Sequence, residues 1–319
     1  MEVTRTFSLQ TEPVPDPGEG EVLFRVEHLS MDAGTRMWLS PRTDGYQPPL
    51  PLGSKMVGLG IGRVVKSRHP DFRDGDRVRA FGQWADYALV TPETSGLVRI
   101  DEDIDDIRQH FGVLGMNGWT AYAGIIEVGK AAAGETVLVS AAAGATGLLA
   151  CQIAKIIGCR VIGLAGGPGK CRYLVEEIGI DRAIDYKAGG VGEQLADEQG
   201  GINVYFDNVA GPLLDDVLPN MAHYGRVALC GLLAGYGEDN PMSGPRSFDQ
   251  ILMRRLTIEG FFSPDFADRG PEFIARLKQW YEAGQITMPF DQSAGLESCV
   301  AAYGKIFRGS NIGKVVVDI

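Results

Sequence analysis

The stretch "VLVSAAAGATGLLACQIAK", residues 137–155, runs a β-branched apolar segment through a turn of small residues and straight into a helical pattern. Leu149, Ile153, Ile156 and Ile157 recur at helical spacing, and Gly158 is placed to stop the helix. A strand that feeds a helix over so short a turn is half of a βαβ crossover. Such crossovers join parallel strands in a sheet covered by helices. The pattern continues downstream. Strand "RVIGLA" leads to helix "KCRYLVEEI" with Gly179 after it, then to strand "AIDY", a helix about "VGEQLADEQ" and strand "NVYFDNV". Helix "PLLDDVLPNMA", with Pro212 suited to a first turn, precedes strand "RVALCG". Strand "LTIEGFF" and the amphipathic helix "PEFIARLKQWYEAG" follow. The alternation predicts an α/β fold with a doubly wound parallel sheet from about residue 108 onward.

The preceding residues have another texture. "EVLFRVEHLSM", "GLGIGRVVKS", "GDRVRAFG" and "WADYALV" are short alternating or β-branched runs, bounded by turn clusters such as "PDPGEGE" and "DFRDGD". They predict a β domain without a long helix. The last stretch, "SAGLESCVAAYGKIFRGSNIGKVVVDI", reads as a short helix, a turn and a strand. That strand either extends the parallel sheet or returns to the β domain, and periodicity leaves both open.

A dinucleotide-binding βα turn must leave its strand tightly, bring its backbone close to a pyrophosphate and aim a helix N-terminus at that anion. Ala142, Gly144 and Gly147 stand where the fingerprint G-x-G-x-x-G has its glycines. Gly144 permits the close approach and Gly147 lets the helix pack on the strand. Ala142 serves at the tight turn if its φ stays negative. Glycine is 43 of 319 residues, about twice the usual ~7%, so the spacing alone is weak and the strand–turn–helix context carries the reading. At the end of the next strand, where an NAD site has Asp or Glu, the chain has Ala165, Gly166 and Gly167, and then Lys170. Small residues leave room for a 2′-phosphate and a lysine neutralises it, which favours NADP. A solvated lysine is the plain alternative, although a cation at a helix start is mildly unfavourable and so leans towards an anion partner.

Length and charge exclude other classes. A chain of 319 residues suits two domains, and a net charge of −11 opposes nucleic-acid or membrane-surface binding. No basic, then apolar, leader opens the chain and no apolar run reaches the ~18–20 residues of a membrane span, so a cytoplasmic protein is expected. Five cysteines without a C-x-x-C and four scattered histidines give neither a disulfide scaffold nor metal-ligand spacing. No tyrosine has a lysine four residues later, which removes the short-chain reductase pair.

In order along the chain, "VLGMNGWTAYAGI", "GETVLVSAAAGATGLLACQIAK", "GCRVIGLAG" with Lys170, "IDYK", "YFDNVAG", "GRVALCGLLAGYG", "LTIEGFF" and "GSNIGK" resemble the zinc-independent medium-chain dehydrogenase/reductases. The nearest branch is the leukotriene B4 dehydrogenase, prostaglandin reductase and double-bond reductase group. "LSMDAGTRM" resembles that group's "LS-D-P-Y-M-R" segment more weakly, and the likeness covers nearly the whole chain. It implies a GroES-like β domain over residues 1–107, a Rossmann NADP-binding domain over 108–284 and a return to the first domain over 285–319. It implies NADP(H) bound between them, and a homodimer joined through the Rossmann domains. Carried over by position, Gly144, Ala145, Thr146 and Gly147 would hold the pyrophosphate, and Lys170 and Tyr186 the 2′-phosphate. Asn208 would lie beside the cofactor, and Cys230, Gly231, Leu232 and Tyr236 along it towards the nicotinamide. Phe261 and Phe262 would border the nicotinamide, and Asn311 would reach its phosphate side. Asn208 or Asn311 as turn residues, and the two phenylalanines as core, are the plainer alternatives.

No metal site is expected, because "GSKMVGLG" stands where zinc-dependent members carry G-H-E. Without metal or a Tyr–Lys acid, direct reduction of an isolated carbonyl is hard, whereas a conjugated C=C–C=O accepts hydride at its β-carbon. Tyr236 is the candidate catalytic donor to the resulting enolate oxygen, since a phenol stays protonated at neutral pH. The expected activity is NADPH-dependent reduction of enals and enones. Quinone reduction and a non-catalytic NADPH sensor are the alternatives. The chain departs from the family where Gly34 or Thr35 replaces a tyrosine, and Trp38, Trp84 or Tyr46 would then line the substrate pocket. Asn117 stands where relatives have proline, and the N-terminus is shorter than the family norm.

Overall fold

The structure is a computed structural model, and it describes residues 7–43, 45, 48–236 and 242–319. The chain divides into two compact units, Met1–Phe111 with Phe290–Ile319, and Gly112–Pro289.

In the first unit the alternating runs form β1 (Val22–Ser30), β2 (Val57–Ser67), β3 (Arg77–Gln83), β4 (Tyr87–Val90) and the two-residue β5 (Val98–Arg99), with one helical turn, α1 (Pro92–Ser95), between the last two. Neighbours among these strands pair antiparallel.

In the second unit α2 (Met116–Tyr122) passes directly into a π-helical turn, Ala123–Val128. The crossovers follow: β6 (Thr136–Val139), α3 (Ala145–Ile157), β7 (Arg160–Ala165), α4 (Pro168–Glu176), β8 (Arg182–Asp185), α5 (Val191–Ala196), β9 (Ile202–Asp207), α6 (Leu213–Val217), β10 (Met221–Leu229), α7 (Asp249–Arg254), β11 (Thr257–Gly260) and α8 (Gly270–Glu282). Gly158 closes α3 in the left-handed region, φ 96°, as a C-terminal glycine does. The chain then returns through β12 (Phe290–Ala294), α9 (Cys299–Arg308) and β13 (Lys314–Asp318).

The two sheets differ in kind. The first unit's sheet runs β12-β13-β1-β2-β3-β5, with β4 also on β1. The final strand, β13, pairs antiparallel with β1 and so belongs here, not to the parallel sheet. Its core gathers Phe24, Val78, Ala80, Tyr303, Val315 and Val317. The second sheet runs β11-β10-β9-β6-β7-β8, parallel throughout. Leu138, Ile162, Ile184, Tyr205 and Val227 are buried between its strands and the helices. The winding reverses between the neighbours β6 and β9, and in such sheets a ligand binds beyond the carboxyl ends of the two strands at that point.

Candidate active site

At the end of β6 the chain stays tied to β9, since the Ser140 N–H donates to Phe206 O at 3.1 Å. Ala141 then enters the left-handed region, φ 48°, and the Gly144 N–H turns back to Ala141 O at 2.9 Å. The tight turn therefore falls on Ala141, one residue earlier than the fingerprint alignment put it, at a cost of roughly 1–2 kcal/mol for a residue with a Cβ. Ala142 avoids that region, is fully buried and donates its N–H to Leu164 O at 3.0 Å. Gly144 precedes α3 in extended geometry without a side-chain cap, so the first-turn N–H groups of α3 have no side chain to satisfy them there. A Cβ on Gly147 would lie 2.3 Å from Ala141 O, so only glycine lets α3 pack this close to the turn. Asn117 Nδ2 donates to Thr146 Oγ1 at 3.0 Å, which ties α2 to the first turn of α3.

A buried network joins the two strand ends. Asp207 is fully buried, and four donors converge on its Oδ1: Ser140 Oγ at 2.9 Å, Tyr205 Oη at 2.8 Å, Val209 N at 2.9 Å and Ala210 N at 3.0 Å. Its Oδ2 has no hydrogen-bond partner. Asn208 closes the link, its N–H donating to Ser140 Oγ at 2.8 Å and its Nδ2 to Ser140 O at 2.7 Å. Burial and the Asp207 carboxylate push the Tyr205 phenol far above its ordinary range, so it stays a donor. Neither Ser140 nor Asp207 stood out in the sequence, because each ends an apolar strand and reads as its boundary.

The loop after β10 is laid onto this network. The Cys230 and Gly231 N–H groups donate to Asp207 O at 2.8 and 3.1 Å, and Leu233 N donates to Asn208 O at 3.2 Å. The Tyr236 N–H donates to Leu232 O at 3.1 Å, and a Cβ on Gly231 would lie 3.5 Å from the Tyr236 hydroxyl. Cys230, Gly231, Leu232, Tyr236 and Asn208 are thus gathered, whereas Gly237, the far flank of that loop, lies outside the described residues. Burial and Asp207 push the Cys230 thiol up to about 12, so it is no nucleophile at neutral pH.

At the end of β7 a Cβ on Gly166 would lie 2.8 Å from the Tyr186 hydroxyl and 2.8 Å from Lys187 Cε. Lys170 follows in the first turn of α4. Lys187 was not singled out from the sequence, although "YK" puts it next to Tyr186. A carboxylate does reach this strand end: β8 brings Asp185, whose Oδ1 accepts from Gly167 N at 2.8 Å and Lys187 N at 2.9 Å. It is spent on shaping two turns.

The remaining expected site residues make other contacts. Phe261 packs edge-on against Phe206 and Phe266, with centroids 6.3 and 6.5 Å away, and its N–H donates to Leu229 O at 3.4 Å at the end of β10; Phe262 beside it is exposed. Asn311 belongs to the first unit, where its Nδ2 donates to Gly313 O at 2.9 Å in a local turn. Thr35, also in the first unit, donates to Asp32 O at 2.7 Å and sits 3.1 Å from the Tyr303 hydroxyl. Trp84 packs against Tyr303 and Trp38 against Phe81. Tyr46 lies outside the described residues.

Comparison with known proteins places these features in a context. Residues 1–99 match the family described as N-terminal domain of oxidoreductase, and residues 145–279 the family described as zinc-binding dehydrogenase. The chain is 36% identical to the NADPH-dependent curcumin reductase of Escherichia coli over 99% of its length and 93% of that protein's. It is 36% identical to the NADP(+)-dependent 2-alkenal reductase of Nicotiana tabacum over 96% of its length and 89% of that protein's. The crystal structure of CurA from Vibrio vulnificus in complex with NADPH, 36% identical, superposes with a TM-score of 0.90 over 98% of this chain and 93% of that one. The second family's description implies zinc, which the residues do not fit. Among the described residues no three His, Cys, Asp or Glu gather as ligands, and the buried Cys151 thiol is pushed up by desolvation. No helix among the described residues is long and apolar enough to cross a membrane.

Proposed function

The chain belongs to the zinc-independent medium-chain dehydrogenase/reductases, in their double-bond reductase group, and on that footing we propose that it reduces the C=C bond of α,β-unsaturated aldehydes and ketones with NADPH. The observation that carries the cofactor choice is the end of β7. Small residues stand there, Tyr186 and Lys187 crowd Gly166, Lys170 follows, and the nearby carboxylate of Asp185 is already engaged by two backbone N–H groups. This suits a 2′-phosphate and not a free ribose hydroxyl pair.

When bound, the reduced nicotinamide supplies a hydride to the β-carbon of the conjugated acceptor. The uncapped turn from Gly144 to Gly147 takes the pyrophosphate on its N–H groups. Asn208, held by Ser140, and the loop from Cys230 to Tyr236 form the wall that orients the ring. The Tyr236 hydroxyl donates to the carbonyl oxygen as negative charge moves onto it. A proton from solvent reaches the α-carbon, so one hydride and one proton add across the double bond. The similarity to enzymes named for curcumin and 2-alkenals supports a conjugated acceptor.

Oxidation of NADPH and NADH, followed with enals, enones, quinones and saturated aldehydes, tests the reading. Turnover of enals and enones with NADPH is expected, and turnover confined to quinones overturns it. Lys170→Ala is expected to raise the KM for NADPH by about 10- to 100-fold, the loss of one charge-assisted hydrogen bond, while sparing NADH. An equal effect on both cofactors removes Lys170 from the 2′-phosphate site.

A further inference from the structure

In the turn from Gly144 to Gly147, Thr146 alone has a polar side chain. The turn is not sealed, since Gly144, Ala145 and Thr146 are only half-buried. The first intrahelical bond of α3 runs from Leu148 N to Gly144 O at 2.8 Å, so the N–H groups of Ala145, Thr146 and Gly147 precede the helical ladder. A helical threonine commonly spends its hydroxyl proton on the carbonyl one turn back, as Thr120 does on Met116 O at 2.7 Å. Thr146 does not. Four residues back from it stands Ala142, ahead of the helix, and the Thr146 hydroxyl donates to no protein group among the described residues.

That hydroxyl instead accepts, from Asn117 Nδ2 of α2 at 3.0 Å. A hydroxyl has one proton and two lone pairs. An amide N–H on one lone pair turns the proton away from Asn117 and polarises it into a better donor. The amide gains little stability in return, because its Oδ1 is buried with no hydrogen-bond partner, which is itself a cost. Proline, which relatives carry at this position, has no side-chain N–H to give, so the pair is a departure of this chain.

We propose that Asn117 is a positioning residue for the cofactor: it sets the Thr146 hydroxyl proton towards a pyrophosphate oxygen of NADPH, adding a side-chain donor to the backbone N–H groups of the turn. The inference rests on that turn being the pyrophosphate site, and both residues belong to the second unit.

Calorimetric titration of the whole chain with three ligands tests it. NADPH is the first. 2′-Phospho-ADP-ribose keeps the pyrophosphate without a nicotinamide, and adenosine 2′-monophosphate lacks the pyrophosphate. Thr146→Val is expected to weaken the first two by about 10-fold, the loss of one charge-assisted hydrogen bond, and to spare the third, while Thr146→Ser retains most of the affinity. Asn117→Ala is expected to cost about 3-fold on the same two ligands, and nothing further in a Thr146→Val background. Asn117→Asp should cost more than Asn117→Ala, because its carboxylate takes the Thr146 proton for itself. The melting temperature of Asn117→Ala should stay near the parent's, since the unpartnered oxygen leaves with the hydrogen bond. Unchanged affinity in Thr146→Val, an equal fall on all three ligands, or an Asn117→Ala loss of the same size in both backgrounds overturns the inference. Gly144→Asp keeps the two failures apart. Its carboxylate caps the helix end and repels the pyrophosphate, so NADPH binding is expected to collapse whatever Asn117 does, and undiminished binding overturns the turn assignment itself.

Discussion

Removing the carboxylate of Asp207 is the most informative single change to the second unit. Asp207→Ala leaves four donors, Ser140 Oγ, Tyr205 Oη and the N–H groups of Val209 and Ala210, without their acceptor in a fully buried place. Each stranded donor costs about 1–3 kcal/mol, so the four together span roughly 4–12 kcal/mol. The two hydroxyls can rotate towards other acceptors, which leaves the two backbone groups and a small cavity and brings the expectation to about 4 kcal/mol. Asp207→Asn keeps an oxygen for the same donors and changes a charged acceptor into a neutral one. It also puts an amide N–H₂ where Oδ2 has no partner, while relieving the desolvation of a charge, so about 1–2 kcal/mol is expected. Urea unfolding followed by circular dichroism reads both, and NADPH affinity should fall with them, because Asn208 hangs on the same turn. An alanine variant losing less than about 1 kcal/mol, or an asparagine variant worse than it, would refute the claim that acceptor loss dominates here.

Gly147→Ala gains helix propensity of up to ~1 kcal/mol but drives a Cβ to 2.3 Å from Ala141 O, and overpacking of ~1–3 kcal/mol should win. A net loss of stability with weaker NADPH binding is expected, and a stabilised variant would show that the turn yields freely. Glu135 bonds Arg226 through both oxygens at 2.8 and 2.7 Å, and that guanidinium holds its carboxyl below the usual range. A depressed folded pKa gives stability that is present above the unfolded value near ~4.3 and drains as pH falls through the folded one. Glu135→Gln should therefore flatten the acid limb of the stability curve by about 1 kcal/mol, the pair being about a quarter exposed. An acid limb identical to the parent's would rule out the pair as its source.

The crossovers were legible because each strand and helix carries its own period, down to "RVIGLA" for β7 and Gly158 at the end of α3. Residues 116–128 were not, because α2 and its π-helical turn have apolar residues on nearly every side, and a buried helix has no polar face to give it a period. The turn itself could be recognised, but not its strain. Composition puts an alanine at both 141 and 142, and only the pairing of Ala142 N with Leu164 O decides which one turns left-handed. At the site, the residues that contact a ligand left a motif, whereas those that hold them did not. Asp207 and Lys187 act through partners 67 and 20 or so residues away, a spacing that no local pattern records.

One edge of β1 is shared. Its first half, Val22 to Arg25, pairs with β4, and its second half, His28 to Ser30, pairs with β13. On a ribosome those halves become satisfied at very different times. β4 follows within the same segment, but β13 emerges only after the whole α/β unit has been synthesised and had time to fold. Until then a short strand edge, His28 to Ser30, stays open to wrong pairing, and Asp32 waits for the Lys314 ammonium. Clipping the last few residues would therefore do more than fray an end. It would hold the first unit at this late stage of assembly, with the second already complete.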